Sequence, residues 1–167
     1  MGLSAPTVVR PEVPRYVSRP RDRETALLVP MQLSRILIRE LTDFQMIELR
    51  EIPINGTSED TLRSFPIVIG LPEAQAIERR LKGIAVKRPQ THDLLASVVE
   101  SLGAELVSVE INSIDDHTYY ATLKLQACDG EIVDVDARPS DAIALGIASR
   151  VPILVEERVI ESASDQA

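Results

Sequence analysis

The chain has 167 residues, a length that favours one domain with a sizeable hydrophobic core. Hydrophobic residues make up 44% and charged residues 26%, which is typical of a globular protein, and a single cysteine excludes an intrachain disulfide. The 3% of aromatic residues and the net charge of -8 argue against nucleic acid as a partner. That charge is uneven: residues 1–40 hold seven basic and four acidic residues, whereas residues 41–167 hold 11 basic and 22 acidic residues.

The N-terminal part of the chain is predicted to be an appendage to the domain. Prolines and arginines without a hydrophobic period predict a disordered arm over residues 1–30. Residues 31–44 place apolar side chains at helical spacing and predict a short amphipathic helix, with a strand at Ile36–Ile38 as the alternative. Residues 45–162 are predicted to form the domain and residues 163–167 a tail. Without an apolar membrane span or a secretory signal, we expect a cytoplasmic protein.

The first half of the domain reads as two strands and two helices. Strands are predicted at Met46–Ile54 and Phe65–Ile69, with the turn signal Asn55-Gly56 between them. The next helix stops at Gly83, and a second helix begins with Thr91 as its cap. The apolar stripe of this second helix is predicted to be buried: Leu94, Leu95, Val98, Val99 and Leu102.

The second half predicts a meander of three strands, then a helix, a short strand and a terminal helical turn. The three strands are predicted at Ala104–Ile111, Thr118–Ala127 and Glu131–Ala137. The helix starts with Ser140 as its cap, and Pro152–Glu156 closes the sheet. This order of elements predicts an α+β fold, with a twisted, largely antiparallel sheet packed with two to three helices.

Polar clusters in the second half carry the candidate chemistry. Asp134 and Asp136 stand two apart on one strand, so their side chains share a face, and Asp141 could complete a group of carboxylates. Such hard oxygen ligands suit Mg²⁺ or Mn²⁺, which activates water and stabilises a phosphodiester transition state. His92 is the candidate general acid or base, and Arg138 the candidate phosphate ligand. The structural alternative stays open, with these side chains as exposed strand residues, helix N-terminal acids and an ion pair.

A basic cluster accompanies the first two helices in an otherwise acidic body: Arg79, Arg80, Lys82, Lys87 and Arg88. Positive charge at this density suits contact with phosphates or with an acidic partner surface. A solvated helix face and loop is the structural alternative.

Three motifs resemble the signature of the bifunctional nuclease domain family. Residues 88–102 read RPQTHDLLASVVESL, similar to its R-P-x-T-H-D-L-L motif, and residues 119–123 read YYATL, similar to its F-Y-A-x-L strand. Residues 134–145 read DVDARPSDAIAL, similar to its D-x-R-P-S-D-A-I-A-L core. The resemblance implies the family's α+β fold and nuclease activity on DNA and RNA. Its signature positions are matched here by Thr91, His92, Asp93, Asp136, Arg138, Ser140 and Asp141.

We therefore expect a metal-assisted nuclease that hydrolyses phosphodiester bonds in DNA or RNA, with the basic cluster binding the nucleic acid. The expected catalytic residues are His92, Asp93, Arg138 and Ser140. The expected ligands of Mg²⁺ or Mn²⁺ are Asp134, Asp136 and Asp141. The alternative is a non-enzymatic, homo-oligomeric regulatory or ligand-binding module. We expect no membrane contact, and a homodimer or another homo-oligomer.

Overall fold

A computed structural model describes residues 26–39, 44–53 and 58–164, and these residues fold around one sheet. Its strands are β1 (Leu28–Leu37), β2 (Gln45–Glu51), β3 (Ser64–Ile69), β4 (Glu105–Asp115), β5 (Thr118–Gln126), β6 (Ile132–Ala137) and β7 (Ile153–Glu156). Their order across the sheet is β3-β2-β1-β7-β4-β5-β6, and only the β4–β7 pair is parallel within the described residues. The predicted α+β fold with a largely antiparallel sheet is confirmed, as are the first hairpin and the three-stranded meander.

The described residues contain four α-helices, more than the sequence predicts. They are α1 (Leu71–Leu81), α2 (Thr91–Ser101), α3 (Pro139–Ser149) and α4 (Glu157–Ser164), and a 3-10 helix spans Glu59–Thr61. The predicted terminal turn is the start of α4, whose Ala163 is buried, so the helix continues into the predicted tail. None of the helices in the described ranges is long and apolar enough to cross a membrane.

Five predictions lie wholly or partly outside the described residues. They concern the arm up to residue 25, residues 40–43 of the amphipathic helix, Ile54 at the end of the first predicted strand, the turn at Asn55-Gly56 and the tail from residue 165.

The amphipathic helix predicted over residues 31–44 is wrong, because β1 occupies the first half of that range, up to Leu37. This strand lies between β2 and β7 and is antiparallel to both. Its register against β2 shifts just after Leu33, and this bulge places the next inward side chain at Ile36. Because these two inward positions are three apart in sequence, rather than the two of a regular strand, the bulged strand imitates the spacing of a helix. The alternative of a strand is the correct one.

The core lies between the sheet and the helices and is mainly aliphatic, as the composition requires. Phe65 is its one fully buried aromatic side chain in the described part of the chain, and its ring stacks on Tyr119 with centroids 5.5 Å apart. The small residues of α3 let this helix approach the sheet closely. A Cβ atom at Gly146 would lie 3.0 Å from Cγ2 of Val109 on β4. The close approach fixes the position of α3, whose first turn carries candidate site residues.

The predicted burial of the apolar stripe on α2 is wrong. No residue of α2 is buried, and Leu94, Leu95, Val98 and Leu102 are exposed. The helix turns its other side inward, where Ala96 packs against the core. The helical spacing of these apolar residues is confirmed, but the spacing alone does not show whether the rest of the domain covers them.

Gly146→Val should lower the free energy of unfolding by about 1–3 kcal/mol, because the added methyl groups overpack the contact with Val109. Ala148→Val is the matched control, since Ala148 is exposed on the same helix and receives the same β-branched side chain. Urea denaturation of both variants measures the difference. Equal stability of the two variants would contradict the close approach of α3 to β4.

Candidate active site

The first turns of three helices meet in one group of charged side chains. Nε2 of His92 on α2 lies 2.9 Å from Oδ1 of Asp141 on α3. Nε of Arg138 donates to Oδ2 of the same carboxylate at 2.7 Å, and its Nη2 lies 2.8 Å from Oε1 of Glu73 on α1. We call these four residues the polar junction. It ties α1, α2 and α3 together through one guanidinium and one carboxylate.

The start of α3 explains why Arg138 and Asp141 meet. Arg138 is the N-cap residue, and Pro139 follows in the first turn, where its missing N–H has no helical partner to lose. Asp141 lies in the same turn, where the helix dipole favours a negative charge. The prediction of Ser140 as the cap is wrong: this residue lies inside the first turn and is buried.

The charges of the polar junction stabilise one another. Burial of Asp141 opposes ionisation, but the hydrogen bonds from Arg138 and His92 outweigh it and hold the pKa of Asp141 below its usual value. Hydrogen bonds to Asp141 and Glu73 raise the pKa of Arg138. Because Asp141 is ionised at neutral pH, Nε2 of His92 is the donor in their hydrogen bond. This tautomer leaves Nδ1 of His92 as the nitrogen that can accept a proton.

The neighbouring Asp93 is the centre of a second group of charges, which we call the Asp93 clamp. Nη2 of Arg79 lies 2.8 Å from Oδ2 of Asp93, and Nη2 of Arg80 lies 2.8 Å from Oδ1. The N–H of Gln90 donates to Oδ2 at 2.9 Å, so Gln90, rather than the predicted Thr91, is the N-cap residue of α2. Burial opposes the ionisation of Asp93, but these hydrogen bonds and charges lower its pKa overall.

The Asp93 clamp divides the basic cluster predicted to bind nucleic acid. The side chain of Arg80 is only 6% exposed and that of Arg79 14%, so both guanidinium groups serve to hold α2 against α1. Lys82 is paired with Glu78 along α1. Lys87 and Arg88 are exposed, and neither forms an ion pair with another described residue. These last two residues are the accessible part of the cluster.

The carboxylates predicted to bind a metal lie on two sides of the sheet. Val135 packs against the core, so Asp134 and Asp136 on either side of it point away from the layer that holds α3 and Asp141. Oδ2 of Asp134 bonds Nζ of Lys124 at 2.8 Å, while its Oδ1 is buried without a hydrogen-bond partner. Across residues 26–39, 44–53 and 58–164, no three His, Cys, Asp or Glu side chains are arranged to hold a metal ion. The predicted set of three ligands is therefore not assembled.

A cavity of about 600 Å³ opens beside the polar junction. Arg138 and Ser140 line it, and the apolar residues of β3 form much of its wall. His117 and Thr118, at the turn between β4 and β5, add polar groups that the sequence reasoning did not single out. His117 and the residue before it, Asp116, have positive φ angles in this turn, a conformation in which Asp and His are enriched among residues other than glycine. A volume of this size is typical of small-ligand sites.

A family model described as "Bifunctional nuclease domain" matches residues 56–167. This chain belongs to the bifunctional nuclease domain family. The matched range contains the whole polar junction and the Asp93 clamp, whereas β1 and β2 lie before it.

Relatives of this chain occur in bacteria and plants. An uncharacterized protein of Mycobacterium tuberculosis is 40% identical over 101 residues, which cover 60% of this chain and 59% of the relative. Bifunctional nuclease 2 of rice is 27% identical over 156 residues, which cover 92% of this chain and 46% of the relative. Bifunctional nuclease 1 of Arabidopsis thaliana is 27% identical over 108 residues, covering 59% and 33%. The chain therefore spans less than two thirds of the length of each of these relatives.

Asp93→Asn should lower the free energy of unfolding by about 2 kcal/mol at neutral pH, because it leaves two largely buried guanidinium groups without their carboxylate. The folded state lowers the pKa of Asp93. Its contribution is therefore complete above the unfolded pKa of about 4 and is lost as the pH falls through the folded value. Urea denaturation between neutral and acidic pH measures both effects.

Asp129→Asn is the matched control for this substitution. Asp129 lies in an exposed turn, where it accepts a hydrogen bond from the N–H of Glu131 that an asparagine can also accept. The control should unfold like the parent. If Asp93→Asn lost as much stability on acidification as the parent does, Asp93 would not be the carboxylate responsible.

Proposed function

We propose that this chain is a nuclease that hydrolyses phosphodiester bonds in DNA or RNA, with the polar junction as its active site. The observation that carries the proposal is the hydrogen-bonded series His92–Asp141–Arg138 beside a cavity of about 600 Å³. It joins an imidazole oriented by a carboxylate to a guanidinium that can bind phosphate. The names of the plant relatives, bifunctional nucleases, support this choice of substrate.

His92 is the general base in this proposal. Nδ1 takes a proton from a water molecule as the water oxygen attacks phosphorus, and Asp141 stabilises the imidazolium that forms. The new P–O bond forms as the bond to the leaving oxygen breaks, and the leaving oxygen takes a proton from solvent. The products are a phosphate monoester and an alcohol. Asp93 acts as a positioning residue, since the Asp93 clamp holds the helix turn that carries His92.

Arg138 binds the phosphate in this proposal. Its side chain is 66% exposed and lines the cavity, although Glu73 and Asp141 both pair with it. A phosphate oxygen therefore competes with Glu73 for the guanidinium, while Asp141 keeps its contact with Nε. This competition and the acidic body of the chain predict weak binding of nucleic acid. Ser140 borders the same cavity.

Assistance by Mg²⁺ or Mn²⁺ stays a prediction of the sequence. The three expected carboxylates are divided between two sides of the sheet, and Lys124 already neutralises Asp134. No step assigned to His92 or Arg138 depends on a metal. Cleavage assays with either ion and with EDTA test the metal separately from these two residues.

The decisive assay measures cleavage of single-stranded and double-stranded DNA and RNA by the parent and two variants. His92→Gln keeps an amide that can donate to Asp141 but removes the base, so we expect about a hundredfold or greater loss of kcat. Asp141→Asn should cause a similar loss, whereas Asp129→Asn should cleave like the parent.

Three outcomes of this assay separate the parts of the proposal. If the parent cleaves no substrate in any of the three separate conditions, Mg²⁺, Mn²⁺ or EDTA, the proposed nuclease activity is overturned. Cleavage by His92→Gln within about threefold of the parent would overturn the role of His92, since general bases contribute far more. Loss of all cleavage in EDTA would confirm metal assistance.

Glu73→Gln should raise the affinity for a single-stranded oligonucleotide about fivefold, since it removes the carboxylate that competes with phosphate for Arg138. Glu131→Gln makes the same change in net charge in an exposed turn and should leave the affinity within about twofold. Fluorescence anisotropy at low salt measures both. Equal affinities of the two variants would show that Arg138 does not bind the phosphate.

A ligand-binding module without catalysis is the second candidate function. The cavity favours it, because its apolar wall and few polar groups are typical of small-molecule sites. In that case Arg138 is a structural ion pair and the parent cleaves nothing under any metal condition. The same cleavage assay therefore decides between the two functions.

A further inference from the structure

The cavity beside the polar junction lies along the free edge of β3. Among the described strands β3 pairs only with β2, so residues from both of its faces border the cavity: Pro66, Ile67, Val68 and Ile69. These side chains are all apolar, and Val68 is 58% exposed. A wall without hydrogen-bonding side chains suits a flat ring system, because the faces of such a ring form no hydrogen bonds.

An exposed aromatic side chain stands at the end of this apolar wall. Gln45, the first residue of β2, pairs with Ile69, so Phe44 lies beside the end of β3. Phe44 borders the cavity and is 73% exposed. Exposed aromatic rings are the side chains on which unpaired nucleobases stack. The cavity therefore combines an apolar wall with a ring on which a base can stack.

The guanidinium group of Arg138 approaches the same end of β3. Its Nη2 lies 2.8 Å from Oε1 of Glu73, in the first turn of the helix that follows Gly70. The Glu73 carboxylate lies against Gly70 so closely that it leaves no room for a Cβ atom there. Arg138 and Phe44 thus border the cavity near the end of one strand. A guanidinium and an aromatic ring in this arrangement match the phosphate and the base of one nucleotide.

Polar groups form another wall of the cavity. Ala121 of β5 pairs with Ala137 at the end of β6, so the start of β5 runs past the start of α3. His117, Thr118 and Ser140 border the cavity there. Imidazole and hydroxyl groups both donate and accept hydrogen bonds. They are therefore suitable partners for the polar edge of a base whose face lies on the apolar wall.

We infer that the cavity binds one unpaired nucleobase of the substrate, stacked on Phe44 and the apolar wall, while Arg138 binds the phosphate of the same nucleotide. The inference rests on the proposed function in taking Arg138 as the phosphate ligand, and it names the substrate as a strand with unpaired bases. A base inside a duplex enters such a site only after it is flipped out of the stack, which costs free energy. The guanidinium favours a nucleotide over an uncharged apolar ligand.

NMR titration of the full chain with adenosine monophosphate and with ribose phosphate tests the base site, because neither ligand contains a phosphodiester bond. We expect the mononucleotide to bind about tenfold more tightly, which is the contribution of stacking one base. Phe44→Ala should reduce this difference to about twofold and leave the affinity for ribose phosphate unchanged. Leu102→Ala is the matched control, since Leu102 is 76% exposed on α2 outside the cavity, and it should bind both ligands like the parent.

Cleavage of matched oligonucleotides tests the same site on a strand. An abasic residue within a single-stranded oligonucleotide should lower cleavage at the adjoining phosphates about tenfold, because the stacking contribution is lost there. The complementary duplex should be cleaved about tenfold more slowly than the single strand, because a base must first leave the stack.

The outcomes separate the base site from the proposed nuclease. Equal affinities for adenosine monophosphate and ribose phosphate would overturn the base site, whether or not the chain cleaves nucleic acid. Tighter binding of the mononucleotide that Phe44→Ala leaves unchanged would overturn the position of the base in this cavity. Tighter binding that Phe44→Ala abolishes, without cleavage of any strand by the parent, would support the base site and overturn the nuclease alone.

Discussion

The carboxylate of Asp141 is the group on which the arrangement of the helices depends. One of its oxygens holds His92 of α2, and the other holds Arg138, which in turn reaches Glu73 of α1. The sheet sets the position of α3 through the close contact at Gly146, but it offers α2 little apolar packing. Charged contacts therefore hold α2 in position on the domain, whereas the burial of apolar side chains holds α3. The same contacts orient the imidazole that the proposed reaction needs.

The two sides of α2 have different surroundings in this structure. Its first turn faces inward and joins the polar junction and the Asp93 clamp, whereas its exposed leucines face away from the domain. The position of a helix that is held mainly by ion pairs at one end depends on the pH, because the ion pairs require charged side chains.

Much of the fold could be predicted from the sequence because most elements carry a clean local pattern. The β2–β3 hairpin, the three strands of the meander and α3 followed from alternation, turn residues and helix starts. β1 did not, because the bulge after Leu33 changes the period from two to three, and only pairing with β2 and β7 reveals a strand. The stripe on α2 was recognised as helical, but its exposure depends on which neighbours the tertiary structure supplies.

The sequence by itself determined the residue types of the candidate site and their places at helix starts, including His92, Arg138 and Asp141. Only the tertiary structure decided which of them meet. The strand pleat sends Asp134 to the opposite side of the sheet from Asp141, and Asp93 takes Arg79 and Arg80 away from the accessible basic surface. The spacing of residues along the chain predicts which side chains share a face of one helix or strand. Contacts between elements depend on how helices and strands pack, and that packing is the sum of many weak interactions distant in sequence.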